Sequence, residues 1–180
     1  LICQESALPA MTELVETGLL SAYIPEFTHL ESLAQHDIYH VFTVDRHLLQ
    51  CGEEIRTLRR KEQRLFSAIQ SPHILFLAGL IHDIGKGHKE NHSAYGAKLS
   101  KDIGQRLGLG EQKTNSLTFL VREHLFLAEI ALRRDLEDES LILRCARKVN
   151  NSDQLTMLYL LTIADARATG PSMWTEWKAA

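Results

Sequence analysis

Apolar residues recur along this chain at intervals of three and four, and no stretch shows a convincing alternation of apolar and polar positions. A helix returns the same face every 3.6 residues and a strand every two, so the pattern predicts an all-α fold, a helical bundle. Two short N-terminal helices are expected, carrying Leu14, Val15 and Leu19 and then Phe27, Leu30 and Leu33, with Pro9 in a first turn, Gly18 as a stop and Pro25 as a new start. A long helix opens at Thr43, aligns Val44, His47, Leu48, Cys51, Ile55 and Leu58 on one stripe, and runs toward Ser71-Pro72. After the apolar run Ile74 to Ile81, Gly85, Gly87 and Asn91 mark a loop. The next helix begins at His92, with His92, Gly96, Leu99 and Ile103 inward, and Gly104, Gly108 and Gly110 mark its end. Leu117, Leu120, Val121 and His124 share the face that follows. Asp138 and Ser152 read as N-caps of the last two major helices, the second of which aligns Leu158, Leu161, Thr162 and Asp165.

What stands out in these greasy stripes is their polar interruptions. His82 and Asp83 end the run from Ile74 to Ile81, where taking a carboxylate out of water is expensive unless a cation offsets the cost. A neutral imidazole nitrogen and a carboxylate oxygen are both good ligands for a divalent metal. The dipeptide alone reads equally well as a helix end that caps and hydrogen-bonds. The decision comes from His47, His92, His124 and Asp165, each set in its own inward stripe. Six interior polar groups would need six separate hydrogen-bonding solutions, whereas one or two metal ions satisfy them all. An inward carboxylate such as Asp165 is the hardest to explain otherwise. His36 and His40 compete with His47 by composition. Periodicity does not choose between His40 and His47, but His47 lies inside the stripe of Val44, Leu48, Cys51 and Ile55, while His40 precedes the expected cap at Thr43.

The order His, His-Asp, His, His, late Asp resembles the HD superfamily of metal-dependent phosphohydrolases. The stretches Tyr39 to His47, Ala78 to Gly87, His92 to Ala97, Leu120 to Leu125 and Leu161 to Thr169, with the Thr-Glu-Trp-Lys tail at Thr175 to Lys178, are similar to the central HD domain of bacterial PII uridylyltransferase/uridylyl-removing enzymes. That likeness covers roughly residues 7 to 180. Arg46 departs from it, standing where an acidic residue is usual, beside the first ligand and not in its place. The resemblance implies an HD-domain bundle with the metal site at its centre, N-terminal helices over 1–36 leading into an HD domain over 37–180, and His47 as the first ligand. It implies metal bound by His47, His82, Asp83 and Asp165, with His92 and His124 available for a second ion, Mn or Mg foremost and Fe, Zn, Co or Ni as alternatives. Hydrolysis would proceed by in-line attack of water on phosphorus, with Asp83 accepting a proton and Lys86 neutralising a phosphoryl oxygen. The implied substrate is the uridylylated tyrosine of PII. An upstream nucleotidyltransferase domain and a downstream glutamine-sensing domain would share the full-length chain. Hydrolysis of a free nucleotide or alarmone, and a non-catalytic HD signalling module, are the rival readings.

Composition changes this picture little. The 180 residues suffice for one core, and the net charge of -3 gives no general attraction to nucleic acid or anionic lipid. Cys3, Cys51 and Cys145 lack metal-site spacing and read as reduced thiols of a cytoplasmic protein, two of them in helical stripes. No apolar segment reaches membrane-spanning length, the best being Ile74 to Ile84, so no membrane partner is expected. The charged run Arg56, Arg59, Arg60, Lys61, Glu62 and Arg64 has no interleaved aromatics and is read as a solvated helix face. Arg122, Arg133, Arg134 and Arg167 lie near the candidate ligands in sequence and could meet a phosphate, although pairing with Asp135 or Glu137 explains two of them equally well. The first residue is not Met and Met173 to Ala180 reads as a polar helix, so the chain is expected to be part of a larger protein.

Overall fold

The computed structural model describes residues 2–33, 43–131 and 139–170, with backbone alone over 139–141. The all-α expectation holds, since helices make up every regular element among the described residues. His36, His40, Arg133, Arg134, the Asp138 cap and the tail at Thr175 to Lys178 lie outside them.

The N-terminal layer breaks at the expected glycine and proline, but into three short elements in place of two helices, and the segment with Phe27 and Leu30 is a 3-10 turn that stops short of Leu33. Helix α1 (Ala7–Glu16) ends where Gly18 takes φ +70°, which a glycine adopts without strain, and α2 (Leu19–Tyr23) restarts immediately. Pro25 then opens a short 3-10 turn, η1 (Pro25–Leu30), which buries Phe27 and Leu30. Helix α3 (Val44–Lys61) buries the whole stripe from Val44 through Leu58. It does not continue to Ser71-Pro72: Glu62 leaves the helical region at φ −107°, ψ 49°, and a separate α4 (Gln63–Ala68) follows. No apolar residue between Leu58 and Leu65 could hold further turns of α3 against the core.

The charged run needs a second correction. Arg59, Arg60, Lys61, Glu62 and Arg64 are exposed, but Arg56 is only 2% exposed. Its guanidinium donates to the Glu53 carboxylate (2.9 Å) and to the Ile2 carbonyl (3.0 Å), while Arg59 donates to the Cys3 carbonyl (3.0 Å) and Arg60 meets Glu5 (2.6 Å). Part of what reads as a solvated face is the clasp that holds the N-terminal segment onto α3.

Helix α5 (Pro72–Ile81) has Pro72 in its first turn and packs on α3. Gly79 lies at their contact, where a Cβ would stand 2.5 Å from Ile55 Cδ1 and displace the end of that side chain. Helix α6 (His92–Arg106) is capped by Asn91, whose side chain accepts from the Ala94 amide (3.0 Å). Gly104 does not end α6. It lies buried inside the helix, 2.9 Å at the Cβ position from Thr114 of α7 (Glu111–Glu123), and Gly108 and Gly110, both with positive φ, make the turn instead. Beyond α7 come α8 (Phe126–Ala131), α9 (Glu139–Lys148) and α10 (Ser152–Thr169). The cap of α10 is Asn151, which accepts from the Gln154 amide (2.9 Å), and Ser152 is the first helical residue. The core is built where α3, α5 and α10 meet, closed by α7, with Leu48, Ile55, Ile74, Ile81, Leu120, Leu158 and Leu161 buried in it. Among the described residues no helix is long and apolar enough to cross a membrane.

Candidate metal centre

At the junction of those four helices the stripes become polar. His47 occupies the first turns of α3, Asp165 the last turns of α10, and His82 and His124 the C-caps of α5 and α7. The two capping histidines share one device. His82 Nδ1 lies 3.1 Å from the Gly79 carbonyl and His124 Nδ1 lies 2.8 Å from the Val121 carbonyl, in each case three residues back. Carbonyl oxygens only accept, so Nδ1 carries the proton, and in the neutral ring Nε2 presents a bare lone pair. Each helix end thereby satisfies one orphan carbonyl and fixes the orientation of an imidazole.

Those lone pairs meet others. His47 Nε2 is 3.2 Å from His82 Nε2 and 3.0 Å from Asp165 Oδ1. His82 Nε2 is 3.5 Å from both Asp165 Oδ1 and Asp83 Oδ2, and His47 Nε2 is 3.8 Å from Asp83 Oδ2. The second oxygen of Asp83 turns the other way, 3.5 Å from His124 Nε2 and 3.8 Å from His92 Nε2. At those separations it makes no good hydrogen bond. Asp83 Oδ1 and His92 Nε2 are in fact buried atoms with no hydrogen-bond partner.

Ring nitrogens and carboxylate oxygens crowded in a buried site repel one another unless a proton or a metal cation lies among them. Donor atoms sharing a divalent ion at ordinary bond lengths stand about 3.0 to 3.6 Å apart, from octahedral neighbours to tetrahedral ones. The observed separations fall on or just above that range. His47, His82 and Asp83 form one group that could hold a metal ion, with Asp165 adjoining it, and Asp83, His92 and His124 form another. The residues fit the cofactor, and Asp83 belongs to both groups.

The charge states suit the same task. Burial by itself would raise the Asp83 carboxyl, but His82, His124 and Lys86 around it hold it well below the usual carboxylate range. Burial likewise opposes ionisation of Asp165, and His82 and His47 overcome it, so this carboxyl too lies far below its ordinary value. Burial lowers His92, which favours the neutral, ligand-competent ring.

The loop after α5 completes the site. The Lys86 amide donates to the Asp83 carbonyl (2.9 Å), and its ammonium lies 2.6 Å from Asp83 Oδ2. Gly85 lets this loop pass against the start of α6, since a Cβ there would lie 2.1 Å from the His92 carbonyl oxygen. Arg46, the departure noted beside His47, points outward to Glu16 of α1 (2.6 Å). Arg122 is exposed and Arg167 half-buried. One contact had no signal in the sequence: His29 of η1 reaches the Lys86 carbonyl (3.0 Å), and its ring packs edge-on against His88.

A helical bundle gathering four histidines and two aspartates in this order defines a class. The family model described as HD domain matches residues 36–158, and the chain belongs to that family. Asp165, one helical stripe beyond the match, joins the site through α10. Among curated relatives, the chain is similar to the bifunctional uridylyltransferase/uridylyl-removing enzyme of Methylococcus capsulatus, 39% identical over 91% of this chain and 20% of the relative. Proteins of the same name from Azotobacter vinelandii (39% over 90% of this chain, 19% of the relative) and Cereibacter sphaeroides (36% over 97%, 19%) match comparably. The chain spans about a fifth of the length of these relatives.

Proposed function

We propose that the chain is a metal-dependent phosphohydrolase that removes UMP from the uridylylated tyrosine of PII. The observation that carries the reading is the Asp83 carboxylate, whose two oxygens face two sets of imidazole nitrogens at separations that a shared cation would set. The names of the relatives support removal of a uridylyl group, and the likeness of the sequence motifs to the HD domain of PII uridylyl-removing enzymes supports uridylylated PII as its carrier. On this reading His47, His82, Asp83 and Asp165 hold one divalent ion, and Asp83, His92 and His124 a second, with Mn or Mg foremost and Fe, Zn, Co or Ni as alternatives. Bound there, the metal supplies a Lewis acid for a phosphoryl oxygen and lowers the pKa of a water molecule.

The chain's own residues do the rest. The Gly79 and Val121 carbonyls keep His82 and His124 in the tautomer that presents Nε2. Asp83 accepts a hydrogen bond from the attacking water. With its carboxyl held so low it is a weak base, and its larger contribution is its negative charge. Lys86, already beside that carboxylate, offsets negative charge on the phosphoryl group as the phenolate of the tyrosine leaves. The HD domain is proposed to extend over 37–180 with residues 1–36 as its lead-in. The full-length cytoplasmic protein would carry a nucleotidyltransferase domain before it and a glutamine-sensing domain after it.

The test compares uridylylated PII, nucleoside 5'-monophosphates and guanosine polyphosphates as substrates of the manganese-loaded chain. UMP release from PII at the highest kcat/KM is expected. Turnover confined to free nucleotides or polyphosphates would replace the substrate, and no turnover of any of them would make the chain a non-catalytic module.

A further inference from the structure

The N-terminal layer lies before the region matched by the family model, yet it touches the site. His29 stands on η1 and is half-buried. Its Nε2 donates to the Lys86 carbonyl (3.0 Å), a bond spanning 57 positions of sequence. Leu33, just beyond η1, reaches the same loop: its Cδ2 lies 3.2 Å from the Cβ position of Gly87, and His29 Cδ2 lies 3.7 Å from it. The Leu33 carbonyl in turn accepts from the Val44 amide (3.0 Å), the first residue of the helix that carries His47. A second brace ties η1 to the far end of α6, the helix that begins at His92, since Arg106 grips both carboxylate oxygens of Glu26 (2.9 and 2.6 Å).

The loop needs such a hold. Between His82 and Asn91 it is turns without regular structure, with Lys86 half-buried and Gly87 and His88 exposed. Two bonds within the loop shape its first turn, Ile84 amide to Ile81 carbonyl (3.0 Å) and Lys86 amide to Asp83 carbonyl (2.9 Å). The Lys86 carbonyl at the end of that turn accepts from the imidazole of His29.

We propose that His29 is a positioning residue for the site, clamping the Lys86 carbonyl so that the Lys86 ammonium is held against Asp83. The proposal rests on the reading of Lys86 and Asp83 given above for its consequence in catalysis, but the clamp itself is a property of the fold. The N-terminal helices are then a working part of the centre, and the smallest functional unit begins before η1.

Two measurements on the 180-residue chain test this. The first is amide hydrogen exchange over residues 82–91, which needs neither metal nor substrate. His29→Ala removes one hydrogen bond and should speed exchange in this loop about fivefold. The peptides of α3 and α5 should be unchanged. His29→Gln, whose amide nitrogen reaches a similar position, should restore protection, and Glu26→Gln, which loosens η1 from α6 alone, should leave the loop within twofold of wild type. Unchanged loop exchange in His29→Ala, or acceleration spread equally over α3 and α5, would overturn the clamp. The second is a double-mutant cycle on UMP release at saturating manganese. His29→Ala should lower kcat roughly tenfold, on the scale of outer-shell changes at metal sites, with KM little changed, and should add nothing in a Lys86→Ala background. Multiplicative effects would show that His29 does not act through Lys86. If the wild-type chain releases no UMP, the substrate assignment fails while hydrogen exchange still decides the clamp.

Discussion

Replacing Asp83 with Asn is the sharpest single perturbation of this centre, because the residue belongs to both candidate metal groups. The amide keeps the shape of the side chain, which is 3% exposed, so packing is conserved. Two things change. A unit of negative charge disappears, and one oxygen becomes an NH2 that can donate to the very imidazole lone pairs meant for a cation, those of His82 at 3.5 Å or His124 at 3.5 Å from the present oxygens. Changes one shell further out already cost such sites ten- to a hundredfold in affinity. Loss of a charged ligand should therefore cost at least about a hundredfold, or about 2.7 kcal/mol per ion at 1.36 kcal/mol per decade. It should also act on both ions at once, whereas His92→Ala should act on one. Titration of the chelator-treated chain with manganese, followed by the electron paramagnetic resonance of free Mn2+, reads this directly, with circular dichroism confirming that helices are retained. Wild type should take up about two equivalents, His92→Ala about one, and Asp83→Asn none at micromolar concentrations. An Asp83→Asn chain that keeps two equivalents, or loses only one, would refute the shared-carboxylate reasoning.

Other outcomes follow from particular contacts. Gly85→Ala places a Cβ 2.1 Å from the His92 carbonyl oxygen and 2.7 Å from the Gly96 amide, both backbone, whereas Gly79→Ala meets the mobile end of Ile55 at 2.5 Å. Urea denaturation should show Gly85→Ala destabilised by about 3 kcal/mol or more and Gly79→Ala by about 1 to 3. Equal costs would mean that the loop can move away from α6. Burial works against ionisation of Glu26, yet its bonds to Arg106 depress its carboxyl below the ordinary 4.5. The stability this pair contributes is thus present above pH 4.5 and lost as pH falls through the depressed value. Glu26→Gln should be destabilised by about 0.5 to 1 kcal/mol at pH 7, the pair being partly exposed, and should converge on wild type as pH falls through the depressed value. A gap independent of pH would mean that the ion pair is not its source. His47→Gln should lose metal affinity by a hundredfold or so while His40→Ala keeps its metal. The reverse order in the same titration would move the first ligand to His40.

The residues most legible in the sequence were those whose polarity broke an apolar stripe. His47, His124 and Asp165 each lie one helical step from buried leucines or valines, so periodicity placed them inward, and the structure gathers them around the His82-Asp83 pair. What periodicity could not convey is where a helix stops for want of something to pack on. The charged stretch from Arg59 to Arg64 fits a helix as well as a break, and the break appears after Lys61. Arg56 looked like its exposed neighbours because its partners, the Ile2 carbonyl and Glu53, include a backbone group that no side-chain pattern encodes. The same holds for His29, whose partner is a carbonyl far along the chain. Asn151 and Ser152 are both good N-caps by type, and one residue of register separates them.

The central claim, that these six side chains hold divalent metal, is tested most directly by anomalous diffraction from crystals of the chain grown with manganese. The account predicts one peak among His47 Nε2, His82 Nε2, Asp83 Oδ2 and Asp165 Oδ1 and a second among Asp83 Oδ1, His92 and His124, each about 2.0 to 2.3 Å from its donors. A map with no peak within bonding distance of Asp83, in crystals whose folded chain is otherwise as described here, would contradict it.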